Sequence, residues 1–159
     1  MTAKDVLVAL TRSGGPFCRR RFVAVPNVYW GWGLSYEADL IAVSKTGTCT
    51  EVEIKISKSD LLADRLKRKW ITGLGPMIQR FYYAVPIHLK EAALASIPET
   101  SGLIVVCPGN RATASLPVAS VVRRAKTNPS ARKPTDDELQ KLHHLGIMRY
   151  WDLFLKEGA

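Results

Sequence analysis

The segment Ser44-Lys45-Thr46-Gly47-Thr48 constrains this chain most, because it joins two runs that each alternate with the two-residue period of a β-strand. Glycine enters the left-handed backbone that a tight turn requires, so Tyr36 to Ser44 and Thr50 to Ser57 are predicted to pair as an antiparallel hairpin. Alternate residues of a strand share a face. In the first run Glu37, Asp39, Ile41 and Val43 point one way, and Ala38, Leu40 and Ala42 the other. In the second, Glu51, Glu53, Lys55 and Ser57 share a face, while Val52, Ile54 and Ile56 pack inward.

Turn geometry decides which acids meet. A three-residue loop with Gly47 in the left-handed position sets Ser44 opposite Thr48; partner numbers then sum to 92, so Asp39 faces Glu53 and Glu37 faces Lys55. A two-residue loop makes that sum odd and moves the acids out of direct register unless a bulge compensates. Facing carboxylates repel unless a cation lies between them or one takes a proton. Magnesium suits such a pair, since it accepts one or two protein carboxylates, keeps several waters and meets phosphate oxygens directly. On this reading Asp39 and Glu53 bind metal, and Lys55 orients the attacking water or stabilises charge building on phosphorus. Glu37 is an auxiliary acid, and the Ile54 carbonyl completes the coordination sphere. The competing reading is a solvated sheet face with cross-strand ion pairs, which carry little energetic weight.

Around the hairpin the pattern alternates between strand and helix. Ala3 to Thr11 has helical apolar spacing and stops at Ser13-Gly14-Gly15-Pro16, and Phe22 to Val25 reads as a strand ended by Pro26. Lys58 to Trp70 reads as an amphipathic helix capped by Ser57 or Ser59. Arg80 to Pro86 and Gly102 to Val106 are predicted strands on either side of a short helix, Leu89 to Ile97. Val118 to Val122 is a further strand, and Ala125 to Pro134 a polar, basic loop. Thr135-Asp136-Asp137-Glu138 forms a capping box for a helix reaching about His144. A chain of 159 residues with this pattern is predicted to form a single α/β domain spanning 1–159.

Tyr36-Glu37-Ala38-Asp39 followed by Glu51-Val52-Glu53-Ile54-Lys55 resembles the split acid and E-x-K signature of the PD-(D/E)XK nuclease superfamily. The run continuing through Ser57-Lys58-Ser59-Asp60-Leu61-Leu62, with Arg80 to Pro86 and Gly102 to Val106, is similar to the MmcB-like DNA-repair group. The resemblance covers roughly 22–106 and leaves a basic C-terminal extension over 112–159. It implies a restriction-endonuclease-like core, a central mixed sheet flanked by helices, acting on DNA with magnesium or manganese. The expected activity is hydrolysis of DNA phosphodiester bonds in repair, recombination or a mobile-element process. The alternative is a noncatalytic nucleic-acid-binding or assembly module that retains the fold.

Charge agrees with a polyanionic partner: Lys and Arg number 23 against 14 Asp and Glu, a net +9. DNA is the expected partner, with RNA as the alternative. Arg19, Arg20 and Arg21, then Lys58, Arg65, Lys67, Arg68 and Lys69, and finally Arg123 and Arg124 are the expected phosphate contacts. Trp30 and Trp32 are read as packing residues in preference to base-stacking platforms. His88, His143 and His144 lack metal-ligand spacing, and Cys18, Cys49 and Cys107 are expected to be reduced. No apolar run spans a bilayer and no secretory signal is evident, so no membrane partner and a cytoplasmic location are expected. A homodimer or larger assembly is compatible with the sequence, although no heptad marks one.

Overall fold

The predicted hairpin lies near the middle of a six-stranded mixed sheet. A computed structural model describes residues 1–29, 32–63, 73–110 and 115–157. Strands β1 (Phe22–Val28), β2 (Ala38–Ser44), β3 (Cys49–Ile54), β4 (Arg80–Pro86), β5 (Gly102–Cys107) and β6 (Val118–Arg123) stand in chain order across it. β1, β2 and β3 run antiparallel, β3, β4 and β5 parallel, and β6 antiparallel. Helix α1 (Ala3–Thr11) covers one face. The other is covered by α2 (Lys58–Ala63), a 3-10 turn over Ile87–Leu89 continuing into α3 (Lys90–Ser96), and α4 (Asp136–Glu157).

The hairpin register is the one a three-residue loop dictates. Leu40 pairs with Val52 and Ile41 with Glu51, numbers that sum to 92. Gly47 has φ +80° and donates its N–H to the Ser44 carbonyl at 2.9 Å, and Ser44 donates to the Thr48 carbonyl at 3.0 Å.

Because both sheet faces are covered, the central strands are buried on both sides. On the first face Val6, Leu10 and Phe17 pack against Leu40, Val52, Ala84 and Ile104. The second face holds two separate apolar clusters. One joins Leu142 and Trp32 to Val25, Ile41 and Val43, over β1 and β2; the other joins Leu61, Leu89 and Ala93 to Phe81, Tyr83, Leu103 and Val105, over β4 and β5.

Several boundaries differ from those read in the sequence. β1 continues through Pro26, which pairs with Leu40; as an edge strand it tolerates a residue with no N–H to donate. β2 begins at Ala38, leaving Glu37 exposed outside the strand, and β3 ends at Ile54, so Lys55 follows it. α4 extends well past His144, to Glu157. The segment after residue 112 is not an appendage, since β6 completes the sheet and α4 covers its second face.

Between β6 and α4 the basic loop crosses the sheet as a strap. Its backbone N–H groups at Lys126, Asn128 and Arg132 donate to the carbonyls of Thr100, Gln79 and Pro76 at 2.9, 2.8 and 3.0 Å. The strap ends on the predicted capping box: Thr135 N–H donates to Glu138 Oε2 at 2.8 Å and Glu138 N–H to Thr135 Oγ1 at 3.3 Å. Arg132 grips the same carboxylate with two nitrogens at 2.7 and 2.6 Å. The guanidinium and the Thr135 donors hold the Glu138 carboxyl down to about 2. A depressed carboxyl contributes stability above its unfolded pKa and loses it as pH falls toward the folded value. Glu138→Gln is therefore expected to unfold at lower urea than the wild type at neutral pH. That gap should close as pH falls from about 4.5 to about 2, as urea midpoints measured across the range will show.

Candidate active site

Every residue of β3 is buried, yet the strand carries two carboxylates. Glu51 is 0% exposed, Glu53 2% and the following Lys55 3%. This excludes a solvated face of surface ion pairs. The two acids occupy the second face between the apolar clusters over β1–β2 and β4–β5, so a polar strip divides that layer.

Isolated charges at such depth cost several kcal/mol, and each is held by a named contact. Lys55 Nζ donates to Glu53 Oε1 at 2.7 Å and lies 3.5 Å from Asp60 Oδ1. Tyr36 donates its hydroxyl to Glu51 Oε2 at 2.6 Å. Burial, followed by the Glu51 charge, pushes the Tyr36 phenol well above its ordinary value, which keeps it a donor.

Asp39 sets the shape of the site. Its Oδ2 accepts the Ile54 N–H at 2.7 Å, where the hairpin register, continued, calls for the carbonyl of Ala38. A side chain has replaced the backbone rung, so β2 and β3 part at this point. Lys55 N–H, one residue on, turns the other way to the Ala84 carbonyl at 3.0 Å. Since a strand residue's N–H and C=O project toward the same neighbour, the Ile54 carbonyl emerges on the Asp39 side. The Asp39 carboxylate and the Ile54 carbonyl thus lie on the same side of the end of β3, the strand that also carries Glu53. The adjoining α2 is anchored there by Ser57 Oγ, which accepts the Asp60 N–H at 3.2 Å.

These donors are hard oxygens, the kind magnesium or manganese takes. Among the described residues no group of three or more His, Cys, Asp or Glu side chains forms a metal cluster. Asp39, Glu53 and the Ile54 carbonyl could hold such an ion only with water and substrate oxygens at the remaining positions.

Of the sequence-predicted site, Lys55 contacts Glu53 and Asp39 contacts the Ile54 N–H, while Glu37 is exposed outside β2; the second acid on the Glu53 face is Glu51. Period-two spacing had already grouped Glu51 with Glu53, but its partner Tyr36 and the proximity of Asp60 to Lys55 carried no local signal. Lys58 is exposed at the start of α2, three residues from Lys55. Arg65, Lys67, Arg68, Lys69 and Trp30 lie outside the described residues. Arg19, Arg20 and Arg21 are exposed beside Phe22, which pairs with Ser44 at the hairpin end. Five residues of β2 separate them from Asp39, about 17 Å of strand. Arg123 donates to the Ser101 and Pro98 carbonyls at 3.0 and 2.8 Å, which ties its guanidinium to the loop before β5, while Arg124 is exposed. Trp32 is a packing residue, 1% exposed, with its indole N–H on the Glu138 carbonyl at 2.9 Å.

No family model and no curated protein matches the chain. A solved structure, the SPO1766 protein of unknown function from Silicibacter pomeroyi, has a similar fold, with TM-score 0.63 and 21% identity over 97% of this chain and 89% of that one.

Breaking a buried ion pair from one side costs more than removing both partners. Lys55→Met is expected to lower unfolding free energy by about 3 kcal/mol, and the double variant Lys55→Met/Glu53→Gln to recover a substantial part of that loss. Urea denaturation of the three proteins at neutral pH measures both.

Proposed function

We propose that this chain is a magnesium- or manganese-dependent nuclease that hydrolyses DNA phosphodiester bonds, with Asp39, Glu53 and Lys55 at the reacting centre, as in PD-(D/E)XK enzymes. The reading rests on one observation: the buried Glu53–Lys55 pair stands beside the backbone-anchored Asp39 where two central strands separate. A purely structural strand gains nothing from charge at that depth, because apolar residues of similar volume are commonly as stable.

Asp39, Glu53 and the Ile54 carbonyl would hold the divalent ion, which when bound would supply charge neutralisation for the phosphate and an acidified water. The chain does the rest by position. Asp39 is fixed by the Ile54 N–H and Glu53 by the Lys55 ammonium, so neither carboxylate needs to reorganise when substrate arrives. Lys55, held between Glu53 and Asp60, would set positive charge beside the incoming water and the phosphate. Water oxygen bonds to phosphorus as the water gives up a proton to solvent, the P–O bond to the leaving group breaks, and the leaving oxygen takes a proton from solvent in its place. The net charge of +9 and exposed Lys58 favour a nucleic acid at this end of β3.

The placement of Arg19, Arg20 and Arg21 about 17 Å from Asp39 favours a second reading, a noncatalytic nucleic-acid-binding module whose contact surface is separate from the acids.

Cleavage of single-stranded, duplex and branched DNA with magnesium or manganese separates the two. Asp39→Asn, Glu53→Gln and Lys55→Met are each expected to reduce cleavage by about 100-fold or more while DNA affinity persists. An inactive wild type that binds DNA in a salt-sensitive way would favour the second reading. In that case, replacing Arg19, Arg20 and Arg21 together with Ala should flatten the dependence of log affinity on log salt by about 2 to 3 units.

A further inference from the structure

The two halves of α4 (Asp136–Glu157) have opposite polarity. In its first half Leu142 is buried and Leu139 and Leu145 pack beside it against the sheet, while Gln140, Lys141, His143 and His144 face water. Gly146 marks the crossing over β1, where an added Cβ would lie 3.2 Å from Val25 Cγ2. Beyond it the pattern inverts. The sheet-facing row Leu142, Leu145 continues as Arg149, Asp152 and Lys156, at helical spacings of three and four. Arg149 still turns inward, donating to the Asn27 carbonyl at 3.2 Å.

The outward face of that half is apolar: Ile147, Met148, Tyr150, Trp151, Phe154 and Leu155 form the stripe that an amphipathic helix normally turns to its own core. With Leu153 they make seven large apolar side chains, each between 50% and 66% exposed. Tyr150, Trp151 and Phe154 touch one another, with ring centroids 5.6 to 6.2 Å apart. At about 200 Å² for a large side chain, a little over half exposed, the six on the outward face present on the order of 700 Å². A monomer's largest apolar patch is a few hundred Å², whereas a stable protein interface buries about 800 Å² per partner.

We propose that this face is the homodimer interface, covered by the same helix of a second copy packed antiparallel about a two-fold axis near Trp151. Two features select a second copy. The stripe has aliphatic ends and an aromatic middle, so under two-fold symmetry Ile147 of each chain meets Leu155 of the other and the aromatics meet at the centre. The charges Arg149, Asp152 and Lys156 lie on the opposite, sheet-facing row, so they give the apolar face no basic rim although the chain carries net +9. Arg149 is paired within its own chain, 3.8 Å from Asp152. An anionic membrane would favour a basic rim instead, and no helix among the described residues is long and apolar enough to cross a bilayer.

On its opposite, sheet-facing side the same helix leans on the strand next to the acids. Arg149 is tied to Asn27; the adjacent Val28 pairs with Ala38, the neighbour of Asp39. This arrangement holds whether or not Asp39 and Glu53 cleave DNA.

Sedimentation velocity across the micromolar range tests it. The wild type is expected at twice the chain mass, and Trp151→Glu/Phe154→Glu at the monomer mass, with dimer affinity weakened about 100-fold or more. Both side chains lie outside the core, so far-UV circular dichroism should be unchanged; if the double variant unfolds, the single change Leu155→Lys gives the same reading. A wild type that stays monomeric, a folded variant that dimerises like the wild type, or a monomer that co-sediments with phosphatidylserine vesicles through this helix would each overturn the proposal.

Discussion

Keeping charge inside a sheet covered on both faces is the constraint on which this structure turns. β3 is central, so whatever side chains it carries are removed from water, and it carries Glu51 and Glu53. Burial is tolerable only because local contacts meet each acid: the Lys55 ammonium at Glu53 and the Tyr36 hydroxyl at Glu51. Lys55, two residues on and on the same face, meets Glu53 at the end of β3, and Asp60 in the first turn of α2 lies 3.5 Å from it. The two apolar clusters of the second face are separate because a polar strip runs between them.

Asp39 shows how one side chain can end a hairpin ladder. Had Ile54 N–H bonded to the backbone of β2, the two strands would have continued in register and closed the space between them. By accepting that N–H itself, Asp39 satisfies the donor, ends the ladder, and sets its carboxylate on the same side as the Ile54 carbonyl. The ladder ends at the C-terminal end of β3, whose parallel neighbours β4 and β5 end on the same side. Sites in α/β sheets commonly form outside the carboxyl ends of parallel strands, because connections diverge there and backbone groups are released from pairing.

What could be read from the sequence followed the range of the interactions involved. The hairpin register depends on four or five adjacent residues and on the positive φ available to Gly47, so Asp39 could be set against Glu53 from spacing alone. The Thr135–Glu138 capping box is equally local. Glu51 is different: its grouping with Glu53 was visible, but its burial depends on α2, α3 and α4 covering the second face, and its partner Tyr36 comes from outside the strand. The arginines at 19–21 look like phosphate contacts in the linear sequence, and only the pairing of Phe22 with Ser44 shows that they stand at the far end of β2 from the acids.

The end of α4 was missed for a reason that also bears on what the helix does. Apolar periodicity identifies a helix by assuming that one face stays inward along its length. Here the inward row changes from Leu142 and Leu145 to Arg149 and Asp152 while the outward row becomes aromatic, so the pattern breaks after His144 although the backbone does not. A helix supported only by its own domain has no reason to reverse in this way: the apolar half gains nothing from water, and the Arg149–Asn27 contact is modest. The reversal becomes favourable once another surface covers the outward face, which makes α4 both a core element of one chain and the edge along which it meets another.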